Sequence, residues 1–170
     1  MTPEPAFTKT ERILCVLFPS CFTTLLLYYG PFRYNISGLL AGKKTAAPAF
    51  TLCVLAGLFL LYELHRLLPE GKKRTLFLIL LSGGLLSTLI IKDNTHAGAQ
   101  IHLFTALLLF GLMQAVILRT SFPSSAFRIY LMGLLLSLGC VLYTLSISGM
   151  AEIAYVWDLF LWFFMKRSQG

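Results

Sequence analysis

The sequence predicts an all-α fold, a polytopic membrane helix bundle of six transmembrane spans that forms a single domain over residues 1–170. Three observations predict it. Apolar residues make up 57% of the chain and charged residues 12%, against about 45–50% and about 25% in soluble domains. The apolar residues gather into long runs separated by short polar loops, as a hydrocarbon core requires. The basic residues are shared unevenly between alternate loops, the asymmetry that orients a multi-spanning chain.

The lead-in, residues 1–12, mixes Lys9 and Arg12 with Glu4 and Glu11 and reads as cytoplasmic. The first span covers residues 13–29, contains Pro19 and closes on Tyr28 and Tyr29, aromatics suited to a water interface. A cleaved signal peptide is the rival reading, but the run is longer than a usual h-region and no small-residue cleavage site follows. Residues 30–47 form the longest loop, with Arg33, Lys43, Lys44 and the glycosylation-type tripeptide Asn35-Ile36-Ser37.

The second span, 48–68, ends in Tyr62, Glu63, His65 and Arg66, read as a solvated helix end whose charges snorkel into headgroups. A basic turn, Pro69 to Arg74, leads to the third span, 75–91, where Ser82, Gly83, Gly84, Ser87 and Thr88 provide a small-residue surface for close helix approach. The central loop, Lys92 to Gln100, carries Asp93 and His96 and runs into the fourth span, 101–118, just inside which His102 lies. After the turn Arg119 to Arg128 comes the fifth span, 129–147. Its Gly133, Ser137, Cys140 and Thr144 recur at three- and four-residue steps, a helix-packing seam. Residues 148–151 read as a minimal turn before the last, shortest span, 152–165, which carries Glu152 and Asp158.

Alternating loops place Lys9, Arg12, Arg66, Lys72, Lys73, Arg74, Arg119, Arg128, Lys166 and Arg167 on one side, ten of the fourteen Lys and Arg, and Arg33, Lys43, Lys44 and Lys92 on the other. The positive-inside rule then makes both termini cytoplasmic. The net charge of +7 needs no nucleic acid, because orientation and attraction to anionic lipid account for it.

This topology brings Asp93, His96, His102 and Glu152 to one membrane face with Asp158 deeper, a candidate contact for a lipid headgroup. An acid at that depth costs about 2.5–3.5 kcal/mol on insertion scales, so it should face the bundle or a wet cavity; hydrogen bonding to neighbouring Ser, Thr or Tyr is the simpler role. Catalytic residues are not legible. His96 and His102 are six apart, not the four that a helical zinc pair wants, no Gly-x-Ser-x-Gly elbow is present, and Gly83-Gly84 fits helix packing better than phosphate binding. The four cysteines lie inside apolar runs without metal spacing, so no metal and no cofactor are expected.

One grouping of residues resembles a known family. The loop His96-Ala97-Gly98-Ala99, the pair Phe110-Gly111, an uncharged fifth span, and Glu152 opening a last helix with Tyr155, Trp157 and Trp162 look like the damage-regulated autophagy modulator group, which includes the Golgi factor that remodels the lipid of GPI anchors. The resemblance covers roughly Thr75 to Met165. It implies a six-span protein of endomembranes (ER, Golgi or lysosome) or the plasma membrane, with membrane lipid as its partner and a role in GPI-anchor lipid remodelling or its regulation. The alternative is a non-catalytic accessory subunit that packs against other membrane-protein subunits through the fifth-span seam.

Overall fold

The structure, a computed structural model, describes residues 7–90 and 96–168, with the backbone alone of His96. The described residues are helical and contain no strand: α1 (Lys9–Tyr29), α2 (Ile36–Ala41), α3 (Ala46–Leu67), α4 (Lys72–Ile90), α5 (His96–Ser121), α6 (Ser125–Thr144) and α7 (Gly149–Ser168). They divide into two compact units, one from Met1–Gly38 and Thr120–Gly170, the other from Leu39–Arg119.

Five helices, α1 and α3 to α6, are long and apolar enough to cross a membrane. Each helix begins before its apolar run, because hydropathy marks the oily slab whereas caps and hydrogen bonds mark where a helix starts. Thr8 and Glu11 form a reciprocal capping box, which starts α1 at Lys9. The Ser124 hydroxyl accepts from the Phe127 N–H, which starts α6 at Ser125. The loop at 30–47 contains α2, and α3 opens at Ala46. The largest difference is at α7. It has 20 residues, where the apolar count gives fourteen, because Gly149 to Ala151 at its start and Lys166 to Ser168 at its end belong to the helix. Its length, roughly 30 Å at 1.5 Å per residue, matches a hydrocarbon core, but Glu152, Asp158, Lys166 and Arg167 make it more charged than the other five.

In the first unit α7 packs against both α1 and α6. Leu159, Phe160, Trp162 and Phe163 are buried, and Phe18 of α1 meets Phe160 with ring centroids 5.9 Å apart. Pro19 inside α1 is accompanied by Ser20 and Thr23, whose hydroxyls donate to the carbonyls of Val16 and Pro19, the back-bonding that accommodates polar side chains in an apolar helix. The outer face of α6 leaves Met132, Leu135, Leu136 and Leu142 exposed.

In the second unit α3 packs on α4, and Gly84 of α4 meets Leu109 of α5. The α5 helix is apolar on every side, yet Phe104, Leu107, Leu108 and Leu118 are exposed, a pattern that water disfavours and lipid accepts. Of the second-span end, Tyr62 and His65 are exposed, and Arg66 donates to the Tyr62 hydroxyl at 2.9 Å. Glu63 does not follow the solvated-end reading. It is fully buried, because it falls on the same helix face as Ala56, Leu60 and Leu67, and that face sets its environment.

Candidate functional site

Of the residues expected to form a headgroup contact, the structure describes the side chains of His102, Glu152 and Asp158. Asp93 lies outside them, as does the side chain of His96, whose backbone opens α5. His102, half-buried on α5, belongs to the Leu39–Arg119 unit. Glu152 and Asp158 stand on α7 in the other unit, six residues and roughly 9 Å of helix rise apart, and each has its own surroundings.

Glu152 is set by the start of α7. Its Oε2 accepts the Ile36 N–H at 2.5 Å, so the carboxylate caps the first turn of α2. Asn35 completes this junction: its Oδ1 accepts from the Gly38 N–H at 2.8 Å, and its Nδ2 donates to the Ile147 carbonyl at 3.2 Å. Both ends of the Asn35 amide are therefore used within the fold. The Met150 N–H donates to the Pro31 carbonyl at 3.2 Å. Gly149 makes the approach possible, since a Cβ there would stand 2.5 Å from the Tyr34 carbonyl oxygen and 2.9 Å from that of Pro31.

Asp158 is set by the α6 stripe. It is 5% exposed, lies directly against Gly133, and its Oδ2 has no hydrogen-bond donor among the described residues. A turn and more toward the start of α7, the buried Ser137 hydroxyl donates to the Ala151 carbonyl at 2.9 Å. Gly133 and Ser137 are thus occupied by the chain's own α7. Cys140 and Thr144 are half-buried, and the Thr144 hydroxyl bonds back to the Cys140 carbonyl at 2.8 Å. The Gly133–Ser137 part of the stripe packs α7.

Sequence reasoning missed the polar junction at the other end of α7. The buried Trp162 donates its indole N–H to the Ser121 hydroxyl at 2.8 Å, and the Lys166 ammonium donates to the Thr120 carbonyl at 2.6 Å. Phe7 packs edge-on against Phe164, and the Arg12 and Arg167 guanidinium groups lie 5.7 Å and 6.0 Å from its ring. The serines of the 119–128 turn were its only signal.

No group of three or more His, Cys, Asp or Glu able to hold a metal occurs among the described residues, and none of the four cysteines is in a disulfide. In this arrangement Glu152 accepts a backbone N–H, and Asp158 fills the space beside Gly133 with its Oδ2 without a donor among the described residues. No family model, curated protein or solved structure matches this chain.

Proposed function

We propose that the protein is a six-span membrane protein with a lipid-related role, both termini cytoplasmic, resident in an endomembrane or the plasma membrane. The observation that carries the reading is the apolar surface of α4, α5 and α6, where leucine, isoleucine and phenylalanine side chains stand exposed along most of each helix. In water such a surface would aggregate; in a bilayer it is solvated. The length of α7 and the inward burial of Asp158, Trp162 and Phe163 support counting α7 as the sixth span, shielded from lipid by α1 and α6. The basic asymmetry of ten against four supports the orientation. The resemblance over Thr75 to Met165 supports GPI-anchor lipid remodelling, or its regulation, as the particular role, and the topology supports Asp93, His96, His102, Glu152 and Asp158 as headgroup contacts.

A second reading, a non-catalytic accessory subunit of a membrane complex, is favoured by one observation: both α7 acids have structural surroundings, Glu152 at the Ile36 N–H and Asp158 against Gly133.

Purification in a gentle detergent, with mass spectrometry of copurifying lipids and proteins, separates the two. The expected result is a particle enriched in one lipid class and depleted of it by His96→Ala with His102→Ala. A stoichiometric protein partner with no enriched lipid would transfer the assignment to the accessory subunit.

A further inference from the structure

The end of the α3–α4 hairpin concentrates positive charge. His65 and Arg66 close α3, and Lys72, Lys73 and Arg74 open α4, with Glu70 the one acid in the turn between them. At this end a cleft of about 530 Å³ opens between the two helices. His65, Arg74 and Thr75 line its charged end, and Leu78 and Ile79 continue it along α4 to Ser82 and Gly83.

The charged end is organised. Arg74 Nη1 donates to the His65 carbonyl at 3.2 Å, which fixes the guanidinium across the cleft. Its Nη2 lies 3.7 Å from Glu70, but that carboxylate is 89% exposed against 17% for the arginine, so the pair is a loose surface contact that a better anion can replace. A guanidinium carries five N–H donors in a fork matched to phosphate oxygens, and these contacts leave donors for a ligand.

The apolar end is vacant in a specific sense. A Cβ at Gly83 would meet no atom within 4 Å, whereas its neighbour Gly84 is packed against Leu109. From Arg74 to Gly83 the helix rises roughly 13 Å, and Leu76, Ile79 and Leu80 on the same stretch are exposed. A cationic notch continuous with an open apolar groove along α4 of that length has the chemistry of an anionic phospholipid: a phosphodiester beside guanidinium and ammonium groups and an acyl chain lying along the helix.

We propose that the α3–α4 cleft binds one anionic phospholipid, its phosphate held by Arg74 and His65 and an acyl chain laid along Leu78, Ile79 and Gly83. This rests on the reading that α3 and α4 cross a bilayer, and it names a lipid class for residues other than the expected headgroup contacts.

The test uses the full chain in phosphatidylcholine nanodiscs titrated with phosphatidylserine, with bound lipid counted by native mass spectrometry. Arg74→Gln should weaken phosphatidylserine retention about five-fold, the effect of one basic side chain near a membrane surface. Gly83→Leu should weaken it comparably by filling the channel, without disturbing the fold, while Lys43→Gln should leave it unchanged. Retention of phosphatidylcholine equal to phosphatidylserine, or wild-type retention by both cleft variants, would overturn the proposal. So would displacement by inorganic phosphate together with an inert Gly83→Leu, which would mark a soluble-anion site. Resistance of the wild-type chain to alkaline carbonate extraction is scored separately: an integral protein without the preference defeats the cleft alone, and an extractable one defeats the membrane reading beneath it.

Discussion

Gly133 and Asp158 are in direct contact between α6 and α7. A Cβ at Gly133 would overlap Oδ1 and Cγ of the carboxylate and stand 2.8 Å from the Asp158 Cβ. The closeness of these helices and the burial of the acid are therefore one feature: the missing side chain on α6 is the space in which the carboxyl group sits.

Gly133→Ala should accordingly destabilise the first unit by about 1–3 kcal/mol, the usual cost of overpacking a filled contact, read as a lowered thermal midpoint in detergent. Adding Asp158→Ala should recover part of the loss by removing Oδ1 and Cγ, but not all of it, because the Cβ contact persists. Additive effects of the two substitutions would show that the contact is not made in solution.

Gly149 governs the opposite end of α7 in the same way, with backbone as its neighbour. Carbonyl oxygens of Tyr34 and Pro31 stand where a Cβ would go, and they cannot rotate aside as a side chain can. Gly149→Ala should push the 31–36 segment off α7 and break the Met150 to Pro31 hydrogen bond, at a cost of about 1–3 kcal/mol. Limited proteolysis in the 31–45 stretch should accelerate in the variant; unchanged cleavage would disprove the latch.

Much of the membrane architecture was legible because hydropathy and charge act over whole segments. The five apolar helices and the Gly133–Ser137 packing contact follow from run length and helical spacing. The α7 helix is longer than its apolar run at both ends: Gly149 reads locally as a turn residue, but Gly149 and Met150 lie against the carbonyls of Tyr34 and Pro31, more than a hundred positions away, and Lys166 to Ser168 continue the helix past the oily stretch. Glu63 is buried despite its charge because it shares the Ala56–Leu60–Leu67 face of α3, which a residue-by-residue reading of a helix end does not reveal. The Asp93 and His96 part of the candidate site lies outside the described residues or their side chains. Glu152 is visible in the sequence as an acid but not as an acceptor, since nothing local pairs it with the Ile36 N–H.

The adjacent glycines of α4 should respond oppositely to one methyl group. Gly84→Ala drives a Cβ to within 2.6 Å of a Leu109 terminal carbon; that side chain can yield, so a loss of about 1 kcal/mol is expected. Gly83→Ala meets open space and gains helix propensity, so it should be neutral or more stable by up to about 1 kcal/mol. Thermal midpoints of the two variants, compared with wild type, check the order.

Glu152 offers a separation of structural from lipid-binding roles by charge. As the acceptor for the Ile36 N–H, it needs an oxygen and not a negative charge. Glu152→Gln retains that oxygen, whereas Glu152→Ala leaves the N–H of a half-buried turn without its partner, a loss of about 1–3 kcal/mol. The expected pattern is near-wild-type stability for Glu152→Gln and a clear drop for Glu152→Ala, measured by thermal unfolding in detergent. If lipid copurification falls in Glu152→Gln while its stability is retained, the carboxylate charge contacts a ligand in addition to capping α2. If copurification tracks stability through both variants, the acid serves the fold, and the headgroup contact must be sought in Asp93, His96 and His102.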